Sequence, residues 1–176
     1  MTPAEFLLNG PQSPEELIGK AAPVARVLIG RHRAGNECPC RELFYGPPGS
    51  GKSSAARLIA RSMAAHPSQV RHLSARAITP DMVREWTTEL AYKAQDWRIW
   101  LIEECDGLTE QVEDLMLLFL DSLPKRHAVL CTSNQEIRTL TPRFQSRFST
   151  HRIPAPEIVA VKEMLLKNWP ELKGVA

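Results

Sequence analysis

Apolar and polar positions change period several times along this chain, and each change marks an element. Ser13 can cap a first turn, and Val24, Val27 and Leu28 then recur at helical spacing, which predicts a helix over about 22 to 33. "CRELFY" is a short apolar strand that stops at Gly46, and Ala55, Leu58, Ile59 and Met63 behind it share one helical face. Pro67 ends that helix, and "QVRHL" reads as a second strand. Thr79 as cap and Pro80 in the first turn open a helix expected over 80 to 95. "WRIWLIEECD" is apolar almost without interruption, as a strand covered on both faces must be.

Thr109 then caps "EQVEDLMLLFLDSL", whose middle is apolar nearly all round. That pattern predicts a helix buried between layers, terminated by Pro124. "HAVLCTSN" is a fourth strand ending in polar residues, "PRFQSRF" a short helix, and "THRIPAP" a fifth strand closed by two prolines. Strands and helices alternate throughout, without internal repeats. The fold class is therefore α/β: three layers, α/β/α, around a five-stranded parallel sheet with right-handed crossovers and a ligand at the carboxyl ends of the strands.

Composition narrows this without redirecting it. The chain has 176 residues, 43% hydrophobic and 24% charged, which excludes a disordered or fibrous architecture. A net charge of +2 is too small to imply nucleic acid by itself. Cys38, Cys40, Cys105 and Cys131 lack paired CxxC spacing and disulfide-scaffold density, so they read as thiols in a reducing compartment. Cys38-Pro39-Cys40 lacks the second ligand pair a zinc site needs. No window approaches the ~20 apolar residues of a membrane helix, and the first residues do not read as a signal peptide, so the expected location is cytoplasmic.

The chemistry concentrates in "GPPGSGKSS", residues 46 to 54. Gly46-x-x-x-x-Gly51-Lys52-Ser53 is a phosphate-binding loop, and it lies between a strand and a helix, as that motif requires. Glycines let the loop of Gly46, Pro47, Pro48, Gly49, Ser50, Gly51 and Ser54 curl so that the N–H groups of its non-proline residues point at an anion, and the helix N-terminus adds its dipole. Lys52 brings a formal charge to the β and γ phosphates, and Ser53 offers a hydroxyl to Mg²⁺. At the end of "IWLIEE", Glu103 stands where a magnesium-linked carboxylate belongs, and Glu104 is the candidate that polarises an attacking water. Asn134, at the end of the fourth strand, falls beside Glu104 in a parallel sheet. Arg143 and Arg147 are either exposed helix charges or an arginine finger for a neighbouring subunit's site.

These motifs, in this order, resemble the AAA+ ATPases, and within them the clamp-loader group of replication factor C small subunits and their bacterial and phage relatives. "SPEELIGKAAPVARVLI" is similar to the box near the adenine, with Ile18 and Gly19. "RELFYGPPGSGKSSAARLIA" is similar to Walker A, "IWLIEECDGLTEQVEDLMLLFLDSLP" to Walker B and its helix, and "LCTSNQEIRTLTPRFQSRF" to sensor 1 and the arginine-finger segment. The resemblance covers about residues 11 to 156. It implies ATP and Mg²⁺ as ligands, Glu104 as catalytic glutamate, Asn134 as sensor 1, Arg147 as a finger acting in trans, and a ring or spiral oligomer working on a protein–DNA assembly.

Three departures qualify the resemblance. Glu103 replaces the family's aspartate and is one methylene longer. Residues 1–156 account for the ATPase core, so 157–176 amount to one helix in place of a full helical lid. Ile78 falls where a phosphate-contacting base is expected, so a direct DNA contact would rest on Arg76, Arg84 and other basic residues. A non-catalytic nucleotide-binding module is the competing reading. A small-molecule kinase would leave Asn134 and "QSRF" without a role.

Overall fold

A computed structural model describes residues 10–92, 94–136 and 140–170. Helix α1 (Ala21–Arg33) precedes strand β1 (Cys40–Tyr45), and α2 (Lys52–Met63) leads to β2 (Val70–Ser74). α3 (Pro80–Glu89), β3 (Arg98–Glu103), α4 (Glu110–Asp121) and β4 (His127–Ser133) continue the alternation. It closes with α5 (Pro142–Gln145), β5 (Ser149–Arg152) and α6 (Ile158–Asn168). The five strands form one sheet in the order β2-β3-β4-β1-β5, and every pairing is parallel. The three-layer α/β/α fold expected from the alternation is the fold observed.

Side chains alternate across the sheet because successive Cβ atoms of a strand point to opposite faces. Phe44, Ile99, Leu101, Ala128 and Leu130 pack with α1 and α2, whereas Leu43, Trp100, Ile102, Val129 and Cys131 pack with α3, α4 and α5. In the second layer Trp100, 1% exposed, meets Phe119 edge-on at 5.0 Å between ring centroids, and Trp86 at 6.2 Å. Truncating such an aromatic to alanine costs about 3–5 kcal/mol. The sheet is therefore a stiff platform for whatever its ends carry.

Two elements differ from the sequence expectation. α3 stops at Glu89, not near 95: the Thr87 and Thr88 hydroxyls take the Val83 and Arg84 carbonyls, and the tighter bonds Ala91 N–H to Thr88 O and Tyr92 N–H to Glu89 O end the helix. α4 is not enclosed between layers. Val112, Met116, Phe119 and Leu120 face the sheet while Leu118 is 62% exposed, so the apolar run overshoots the one face that packs. All four cysteines are free thiols. Among the described residues no helix is long and apolar enough to cross a membrane.

Candidate functional site

Parallel pairing brings the carboxyl ends of β1, β3 and β4 to one edge. Tyr45 is level with Ser133, and Ile102 with Cys131, so Gly46, Glu103, Glu104 and Asn134 emerge together from three neighbouring strands. At Gly46 φ is +142°, and a Cβ would lie 2.2 Å from the Ile153 carbonyl oxygen, so only glycine fits. Gly51 caps α2 with φ +92° and no side-chain acceptor. Threonine hydroxyls cap α3, α4 and α5, whereas α1 and α6, like α2, start without a side-chain cap. What distinguishes α2 is the glycine-rich loop in front of its open first N–H groups, an arrangement that suits an anion.

Lys52 is 4% exposed, and its ammonium donates to the Pro47 carbonyl (2.6 Å) and the Ser50 hydroxyl (3.3 Å). Burial pushes its pKa down, opposed by the nearby Asp106 carboxylate. A buried cation whose hydrogen bonds end on neutral oxygens fits a phosphate chain well. Ser53 lies in the same first turn. Its hydroxyl and the Glu103 carboxylate are hard oxygen donors of the kind a magnesium ion accepts.

Glu104 has φ 56° and ψ 49°, the left-handed region, which a non-glycine residue enters at a cost. Its N–H donates to the Thr132 hydroxyl (3.3 Å), and its Oε1 accepts from the Asn134 amide (3.3 Å). Asn134 is held in turn by its own N–H on Asp106 Oδ1 (3.3 Å). Asp106, which sequence reasoning did not single out, therefore bridges the Lys52 environment and Asn134. Its only signal was its place among the acids of "EECDG".

Glu103 is already engaged. Its Oε1 accepts from Arg57 Nη2 (2.7 Å) and Nε (3.1 Å), and lies 3.2 Å from His72 Nε2. Ile18 and Gly19 follow a 3₁₀ turn at Pro14–Glu16. A Cβ on Gly19 would touch Pro156 at 3.6 Å, and one on Gly51 would touch Ala21 at 3.4 Å, so this segment runs between the loop and the approach to α6. With Ala160 and Met164 of α6 it lines a cavity of about 520 Å³, large enough for a nucleoside.

Arg147 is not brought to this edge. It precedes β5, whose Ser149 is level with Glu42 near the start of β1. Parallel strands therefore put it at the opposite rim, roughly 20 Å from Gly46 at ~3.3 Å per residue. There its guanidinium clamps Asp121 of α4 with two bonds of 3.2 and 3.0 Å, which hold that carboxyl below its ordinary pKa. Of the DNA-facing candidates, Arg84 pairs with Asp81 (2.6 Å) and Arg76 lies against Gly107. Among the described residues no cluster of three metal-ligating side chains occurs, and Cys40 is an inert thiol, pushed up to about 12 by burial and by Glu42.

Residues 42–154 match the model of a protein family described as "ATPase family associated with various cellular activities (AAA)", well over half of the chain. A 57-residue stretch is 42% identical to the Holliday junction branch migration complex subunit RuvB of Chloroflexus aggregans, covering 31% of this chain and 16% of that protein. The Thermotoga maritima RuvB motor superimposes with a TM-score of 0.69 at 19% identity, over 89% of this chain and 52% of that one. A DNA polymerase III gamma subunit-related protein of Thermotoga maritima gives 0.61 at 18% identity, over 88% and 54%. A katanin structure concerned with self-assembly gives 0.65 at 25%, over 93% and 59%. The chain spans about half the length of these structures.

Proposed function

Since this chain belongs to the AAA family of ATPases, we propose that it binds Mg²⁺–ATP on the 46–54 loop and hydrolyses it within an oligomer acting on a protein–DNA assembly. The observation that carries the reading is Lys52, a buried ammonium hydrogen-bonded to neutral partners, at the head of a helix left uncapped. The ligand supplies a phosphoric anhydride for water to cleave, with the metal offsetting its charge.

The chain's own groups divide the work. Gly46 to Ser54 hold the phosphates. Ile18 and Gly19 border the base, and Ser53 and Glu103 hold the metal. Glu104, kept in place by Thr132 and Asn134, accepts the proton of the attacking water. Arg147 of a neighbouring copy, the arginine of the segment that resembles the family's finger, is assigned to add positive charge at the γ-phosphate beside Lys52 and the metal. A clamp-loader role is the narrower form of the proposal and rests on motif order. The polymerase III gamma-related and RuvB likenesses support a DNA-bound partner in general.

Calorimetry with ATP and Mg²⁺, and steady-state hydrolysis at high protein concentration, test this. Lys52→Ala is expected to abolish binding, and Glu104→Gln to keep binding and lose turnover. Unchanged affinity in the first variant contradicts the loop assignment. Equal background rates for wild type and Glu104→Gln instead support the second reading, a nucleotide-binding module without turnover. What favours that reading is the occupation of Glu103 by Arg57 and His72.

A further inference from the structure

The contacts of Glu103 have a geometry that its neighbours explain. Arg57 follows Ser53 by four residues on α2, so the two side chains lie on one helical face, a turn apart. His72 lies on β2, whose Ser74 is level with Glu103, and two residues back along a strand returns to the same face. Helix and edge strand thus converge on one carboxylate oxygen from two sides. Glutamate reaches one methylene further than aspartate from the same backbone position. All three close approaches end on Oε1. Side-chain exposure is 46% for Arg57 and 22% for Glu103, so the pair is only partly shielded from water.

Arg57 also has somewhere to go. A cavity of about 440 Å³ opens between α2 and β2, lined by Arg57 and His72 at its rim and by Ala60, Ala64, Val70 and Leu101 within. An arginine stem packs well along such a surface while its guanidinium stays hydrated.

We propose that Arg57, seconded by His72, is an internal cation that competes with Mg²⁺ for Glu103. Nucleotide then binds the loop with or without metal, and metal joins Glu103 only when Arg57 turns into the adjoining cavity. The inference rests on the reading of the 46–54 loop as a nucleotide site. Arg57 is a positioning residue here: it acts on the metal through the carboxylate it holds. The consequence is a site in which nucleotide occupancy and metal occupancy are set separately.

The test uses the 176-residue chain saturated with the non-hydrolysable analogue AMP-PNP. Free Mn²⁺ is followed by electron paramagnetic resonance, and nucleotide affinity is measured separately in EDTA. Arg57→Ala is expected to tighten Mn²⁺ about three- to fivefold, the scale of losing one partly exposed charge pair. Its affinity for nucleotide in EDTA stays within about twofold of wild type. Glu103→Asp, too short to stay on Arg57, is expected to tighten Mn²⁺ in the same direction. Arg61→Ala removes the same charge from the same cavity one helical turn on, and is expected to move Mn²⁺ by less than about twofold. Unchanged or weaker Mn²⁺ binding in Arg57→Ala overturns the proposal, and so does an equal shift in Arg61→Ala, which would mean a general field effect. Wild type that binds no nucleotide in EDTA or with metal removes the loop reading itself, and this inference with it.

Discussion

Glu104 is held in a conformation that its residue type resists, and the cost is measurable. A left-handed backbone costs an L-residue roughly 1–2 kcal/mol, and glycine removes that cost. Glycine also gives the unfolded chain extra freedom, which takes back roughly 0.5–1 kcal/mol. The hydrogen bond from Asn134, which a glycine cannot accept, is exposed and contributes little. Glu104→Gly should therefore stabilise the nucleotide-free protein by about 0.5–1 kcal/mol relative to Glu104→Gln, which keeps both the strain and an acceptor for Asn134. At this chain length that is a rise of about 1–4 °C in Tm. Urea unfolding of the two variants and wild type, at a constant m-value, measures the difference directly. A Glu104→Gly midpoint at or below that of Glu104→Gln would refute the reasoning: either the left-handed geometry is absent in solution, or Thr132 and the turn beyond it offset its cost. The more stable variant should be without turnover, since strain is retained where the side chain has work to do.

Gly46→Ala places a methyl group 2.2 Å from the Ile153 carbonyl oxygen, so thermal denaturation should show a loss of more than about 2 kcal/mol together with impaired ATP binding. Burial holds the pKa of His127 below the ordinary 6.5, so the unfolded chain takes up the proton first, and stability falls as pH drops below about 6.5. His127→Phe should flatten that fall in urea titrations between about pH 7.5 and 5.5; His32, shifted the same way by burial, keeps some slope. Arg147→Ala should spare ATP binding and remove hydrolysis, and mixing it with Glu104→Gln should restore part of the turnover in a coupled ADP assay; no rescue at any ratio argues against action in trans. If Arg76, Arg84 and other basic residues meet DNA phosphates, affinity measured by fluorescence anisotropy should fall steeply with salt.

Local chemistry made much of this molecule legible in advance. The strands announced themselves as apolar runs because a parallel sheet buries both faces, and the loop did so because glycines and a lysine at fixed spacing have few other uses. Strand-end positions then followed from parallel pairing, which is why Asn134 was expected beside Glu104 and is found 3.3 Å from it. Three features were not readable. Arg57 and His72 meet Glu103 through packing of α2 and β2 on β3, across 46 and 31 residues of chain, a distance no local pattern spans. Asp106 looked like one more acid until the turn after β3 aimed it at Asn134. The exposed Leu118 broke the inference from an all-apolar helix to an enclosed one, because the surface tolerates single apolar residues.

The same geometry separates holding a nucleotide from consuming it. On the proposed reading the phosphates are held by residues within about ten positions of β1 and α2, so that part of binding depends on local structure that the core fixes. Turnover, on the proposed reading, depends on groups from three other places: Glu103 from the end of β3, Asn134 from β4, and an arginine from the far rim of another copy. Two of those are tied up in the single chain, Glu103 by Arg57 and Arg147 by Asp121, each through a two-point guanidinium–carboxylate contact. Such pairs at partly exposed positions are worth little individually. Assembly and metal binding therefore have only small barriers to overcome at each, and on the proposed reading the pairs bias an isolated protomer away from turnover by a few-fold without blocking it.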